Sequence, residues 1–175
     1  MLRKTGAAAL AAVFVILFSA CSAGEFGVSS AVGKNVPGSS LPASSGAEAG
    51  GVEDSLAGLQ KYLAANASVT GTAETMRADI IGAKSGVRYK YGYEGKDNVT
   101  LELYEYDPSG LNDTARRVIS EVKEGNSFTL MDEKVPAVLS DSGKYLMVFR
   151  DAASDEKNKA YDQKVEKLFR SFKAA

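Results

Sequence analysis

The chain holds no histidine and one cysteine, Cys21, in 175 residues, so carboxylates, tyrosines and amines are what remains for chemistry. Without imidazole the commonest general base, metal ligand and triad member is absent, which removes most hydrolase mechanisms. Two carboxylates alone can still cleave a glycosidic bond, and Glu102, Glu105 and Asp107 crowd one short stretch. Alternation along a strand turns Glu102 away from Leu101 while Glu105 shares the side of Leu101 and Leu103. The three acids therefore do not converge, and solvated strand charges account for them better. Asp151, Asp155 and Glu156 could be read as calcium ligands, but the run lacks the glycine that an EF-hand loop needs at its sixth position. Acids in the first turn of a helix, near the positive end of its dipole, explain them. Tyr89, Tyr91 and Tyr93 alternate along one run, with Tyr104 and Tyr106 in the next. Such spacing suits a half-buried strand facing a helix, or an interaction surface beside Arg88 and Lys90 that stacks on sugar rings or receives a protein. No cofactor or metal is expected.

Cys21 has its own context. Arg3 and Lys4 precede an uninterrupted apolar run, Ala7 to Phe18, and the small residues Ser19 and Ala20 lead to the cysteine. A basic start, a short apolar stretch and small residues are the parts of a signal peptide, and the run is too short to span a bilayer about 30 Å thick. Phe18-Ser19-Ala20-Cys21 resembles the lipobox of bacterial lipoproteins, with Phe18 where that family usually has Leu and with Leu17 one place further back. The resemblance implies a diacylglyceryl anchor, with palmitate-type chains, on Cys21 as first residue of the mature protein. It places the chain outside the cytoplasm, on the outer leaflet of the cell membrane or on an outer membrane. Ser22, not Asp, follows the cysteine, and either envelope fits. With its thiol acylated the mature chain has no disulfide, thiolate nucleophile or cysteine metal site.

Composition then divides the chain into a signal peptide (1–20), a tether (21–51) and one domain (52–175). Ser, Gly, Ala and Pro dominate the middle part, as in "VPGSSLPASSGAEAGG". Such a segment buries too little apolar surface to fold and behaves as a flexible coil with a reach of roughly 30 Å. Loss of Arg3 and Lys4 takes the formal net charge from −1 to −3, which offers no basic field for nucleic acid.

The elements that must position the acids and tyrosines follow from periodicity. "EDSLAGLQKYLAA" (53–65) places Leu56, Leu59, Tyr62 and Leu63 on one helical face, and "TAETMRADIIGA" predicts a second short helix behind a Thr72 cap. A period of two from Val87 to Tyr93 and again from Val99 to Tyr104 predicts a hairpin around a loop from Glu94 to Asn98. Asp107-Pro108 ends it. Leu111, Ala115, Val118, Ile119 and Val122 form the apolar stripe of a helix capped by Asn112 or Asp113 and stopped by Gly125. "SFTLM", "KVPAVLSD" and "GKYLMVFRD" read as strands extending the sheet, with Pro136 placing the middle one at an edge or bulge. Tyr161, Val165, Leu168, Phe169 and Phe172 mark a last helix behind Ser154 and Asp155. The fold expected is α+β, a small antiparallel sheet of about four to five strands with helices packed on one face.

"GAKSGVRYKYGY", "VTLELYEYDP" and "GKYLMVF" are together similar to small lipoproteins of Gram-positive envelopes with no assigned activity. Their span, residues 80 to 150, implies the same class and names no role. The functional expectation is a non-catalytic, lipid-anchored envelope protein that binds an envelope protein or glycan, with the tyrosine hairpin as contact face. The alternative is a cell-wall glycan-active enzyme working through carboxylates alone. A solute receptor with two lobes would need a far longer chain.

Overall fold

A computed structural model describes residues 48–174; the expected signal peptide (1–20), Cys21 and nearly all of the expected tether (21–51) lie outside the described residues. Ala49–Gly51 form a 3-10 turn, and Ala49 and Val52 pack against the core, so the folded part includes residues that composition assigns to the tether. Ser55 caps helix α1 (Leu56–Ala67), its hydroxyl accepting from the Gly58 N–H at 3.1 Å. Among the described residues no helix is long and apolar enough to cross a membrane.

The helix predicted from Thr72 does not form. Glu74–Thr75 make a short strand, β1, and Ala78–Ile81 a single 3-10 turn. Only ten residues separate Gly71 from Gly82, too few for an isolated helix to be stable, and pairing of Glu74 and Thr75 with the next strand claims the first of them. Gly82 closes the turn at φ 72°, where a Cβ would stand 2.5 Å from the Ala115 nitrogen.

The hairpin is present as β2 (Ser85–Tyr93) and β3 (Lys96–Glu105). Its turn is shorter than predicted, two residues, Glu94 and Gly95, both with positive φ. That left-handed pair matches the twist of the strands, as in primed hairpin turns. Helix α2 (Asp113–Gly125) is capped by Asn112, which accepts from the Ala115 N–H at 2.9 Å. Asn126, not Gly125, takes the left-handed position that stops it, and its N–H bonds the Val122 carbonyl.

The following runs do not all extend the sheet. β4 (Ser127–Leu130) and β5 (Glu133–Pro136) pair only with each other around Met131 and Asp132. β6 (Val138–Leu139) and β7 (Tyr145–Asp151) join the hairpin, giving one antiparallel sheet in the order β1-β2-β3-β7-β6. Pro136 sits in the separate two-stranded ribbon, where its missing N–H interrupts no ladder of the main sheet. Helix α3 (Glu156–Ser171) closes the chain, capped by Asp155.

The α+β class and the antiparallel sheet are as the sequence predicts, but the helices occupy both faces. Alternate residues on the central strands are apolar in both phases. Leu101, Leu103, Tyr145 and Met147 meet Leu59 and Leu63 of α1 and Val165 and Phe169 of α3. Tyr104, Leu146 and Val148 meet Val118, Ile119 and Val122 of α2. A strand buried on two sides reads as a continuous apolar run, and "YLMVF" is one. Gly86 belongs to this arrangement, because a Cβ there would lie 2.6 Å from the ring of Tyr104.

Candidate functional site: a cleft under the last helix

The residues singled out in the sequence do not form a site. Tyr89 and Tyr91 are buried among the helices α1 and α3, and Tyr93 stacks on Tyr161 with ring centroids 3.9 Å apart. Tyr104 and Tyr106 lie on the opposite face under α2. The tyrosine strip is therefore corrected to two sets of core side chains. Gly86 pairs with Tyr104 and Tyr89 with Leu101, which puts the second pair of tyrosines out of phase with the first.

The strand acids are equally dispersed. Glu102 accepts from Arg88 at 2.7 and 2.9 Å and from the Tyr104 hydroxyl at 2.8 Å. Glu105 lies on the α1 face, where it meets the Leu56 N–H and, at 3.4 Å, Lys144. Asp107 is exposed and holds Ser109 in a turn. No two of them share a cleft. Asp155 is the α3 cap, as expected of an acid at a helix start, and exposed Glu156 sits in the first turn.

Asp151 does something the sequence did not suggest. Its carboxylate accepts from the Asn98 amide at 2.6 Å, the Asn158 amide at 2.7 Å and the Ala153 N–H at 2.7 Å. Burial alone would push this carboxyl up, but those three donors hold it below its usual range. Asp162, one turn beyond Asn158 on α3, is in the opposite condition. Burial first, and then the neighbouring charge of Asp151, push its carboxyl up to about 6. One of its oxygens, Oδ1, is buried without a hydrogen-bond partner, and so is Oδ1 of Asn158. Asn158 itself is fully buried. Below them the Tyr91 and Tyr161 hydroxyls share a hydrogen bond of 2.8 Å.

Asp162 opens into a cleft of about 390 Å³ between α3, β7 and the junction of β5 with β6. Met147, Phe149 and Val138 give it an apolar floor, with Pro136 and Asn126 along the opposite side. Glu166 and Arg170 continue the helix wall, but they are occupied with each other at 2.7 Å, and Arg170 also reaches the Leu139 carbonyl at 3.4 Å. A volume of this size, a mostly apolar lining and a few convergent polar groups are the usual properties of a small-ligand site. Among the described residues no cluster of three metal-ligating side chains occurs.

A sequence signal for this cleft exists. Asp162, Glu166 and Arg170, which line it, recur every four residues and continue from buried Asn158, a polar stripe running directly beside the apolar one used to predict the helix. Comparison of the chain with protein-family models, with curated proteins and with solved structures finds no match in any of the three.

Proposed function

We propose that the protein is an extracytoplasmic binding module, held at a membrane by acylation of Cys21 and presented on the Ser/Gly-rich tether. The cleft under α3 is the observation that carries binding, because it joins an apolar floor to the Asp162 carboxylate, one oxygen of which has no hydrogen-bond partner among the described residues. The segment Phe18-Ser19-Ala20-Cys21 after its apolar run supports the location.

One observation favours the second reading, a glycan-active enzyme. Asp151 and Asp162 are two carboxylates whose environments drive their proton affinities apart, the pattern of an acid and its ionised partner. Against it, Asp151 is committed to three donors and is absent from the cleft wall. A carboxylate so engaged has little freedom to attack a sugar or activate a water. Binding is the reading we prefer.

The location is tested by feeding an alkyne-bearing palmitate analogue to a bacterial host that expresses the full chain. Label on the wild type, loss of label in Cys21→Ser, and movement of that variant into the soluble fraction are expected; an unlabelled wild type ends the anchor reading. Incubation of purified chain with peptidoglycan separates the two activities. Release of sugar that disappears in Asp162→Asn would make the protein an enzyme.

A further inference from the structure

We propose that the cleft formed by α3, β7 and the β5–β6 junction binds a small ligand with an apolar body and a protonated amine, the amine being received by Asp162. This deepens the binding reading and rests on it for the site, though not for the anchor.

The ligand's polarity follows from what is left unpaired. Among the residues that line the cleft, Asp162 has a buried atom without a partner, Oδ1, and that atom is an acceptor. A buried acceptor left unsatisfied costs about 1–3 kcal/mol, so a donor is the complement this wall lacks. Charge points the same way. Arg170 and Glu166 neutralise each other across 2.7 Å, whereas Asp162 has no cationic partner among the described residues and lies near a second carboxylate, Asp151. A cation entering here gains an ion pair in a partly desolvated site, where charge-assisted hydrogen bonds are at their strongest. An anion would find Arg170 already engaged and meet the field of two acids. The floor of Met147, Phe149 and Val138 offers no polar side chain, so the remainder of the ligand must be apolar. Methionine and phenylalanine both adapt well to aromatic or aliphatic bodies.

The groups able to modulate Asp162 are Asp151 of β7, the phenols of Tyr91 and Tyr161, and Glu166 and Arg170 of α3. Asn126, Pro136 and Ala137, which supply the opposite side, carry no charge. Because Asp162 titrates near 6, amine binding should weaken as acid protonates it, by about tenfold between pH 7.5 and pH 5.

The methionines provide a direct readout. Met147 lies in the cleft floor, while Met76 packs in the α2 cluster and Met131 is 83% exposed at the turn between β4 and β5. Full chain carrying ¹³C-methyl methionine, in neutral detergent micelles, is titrated with phenethylamine and in parallel with 3-phenylpropionate, which exchanges the amine for a carboxylate. The expected result is a saturable shift of the Met147 methyl with the amine alone, Met76 and Met131 unmoved, and affinity at least tenfold weaker in Asp162→Asn. An unmoved Met147, equal response to the carboxylate, or full affinity in Asp162→Asn overturns the proposal. Since none of these readouts depends on Cys21, a negative result leaves the anchor reading intact, and failure of acylation leaves this one intact.

Discussion

The two faces of the sheet are built from the same strands and finished differently. Under α2 the buried polar atoms are satisfied: the Tyr106 hydroxyl reaches the Ile81 carbonyl at 3.3 Å, and Arg88, Glu102 and Tyr104 close on one another. Under α3 a deeper polar layer holds Asn98, Asp151, Asn158 and Asp162, and two acceptors in it lack partners. Buried polar groups are normally paired, and the exceptions call for an explanation. The α2 face needs nothing beyond folding to explain it; the α3 face keeps a debt of hydrogen bonds beside an open cleft.

Truncation of the two cores tests whether the difference is confined to the polar layer. Leu103→Ala on the α3 face and Leu146→Ala on the α2 face each remove a fully buried side chain and should each cost about 2–5 kcal/mol. Denaturant unfolding should remain a single transition in both, since the faces share β3 and β7. Two separated transitions would mean that the faces fold independently.

Asp162→Asn sharpens the contrast with the opposite sign. A carboxyl whose folded value is raised to about 6 from 3.8 favours its neutral form in the fold. The wild type therefore loses stability as pH rises through the interval between those values. The asparagine variant does not, and at pH 7.5 it should exceed the wild type by about 1–2 kcal/mol after allowance for solvent screening. The gain should vanish near pH 4, which chemical denaturation at the two pH values will show. A variant less stable than the wild type at pH 7.5 would mean that the Asp162 charge is favourable in the fold.

Smaller effects complete the series. Asn112→Ala removes the cap of α2 and should cost about 1 kcal/mol, read from the urea midpoint. Arg77→Ala breaks an ion pair between side chains 79% and 68% exposed, and no change in that midpoint is expected.

How far the sequence carries the reader depends on which force sets each feature. The stripes of α1, α2 and α3 and the alternation of β2 and β3 were legible because apolar burial dictates them locally. The segment after Thr72 departs from its helical pattern because a partner strand, invisible in local periodicity, outweighs helix propensity there. The tyrosines misled for a related reason. Their exposure depends on the register of β2 against β3 and on helices brought to both faces by distant parts of the chain. "KVPAVLSD" has the pattern of one strand, although the chain leaves the ribbon at Pro136 and joins the main sheet at Val138. The cleft was half legible: the four-residue polar stripe of α3 stands in the sequence, whereas the orphaned state of Asn158 and Asp162 needs the position of Asp151 on another element.

The packing of α1 against α3 sets an order of events. The first helix ends at Ala67 and its partner begins at Glu156, and the ladder between β3 and β7 joins Val99 to Asp151. During synthesis at 5–20 residues per second, the apolar face of α1 waits roughly 5–20 s for the helix that covers it. The β2–β3 hairpin can zip at once, but the central core closes only when the last helix arrives, so the emerging chain depends on whatever shields its greasy segments in the meantime.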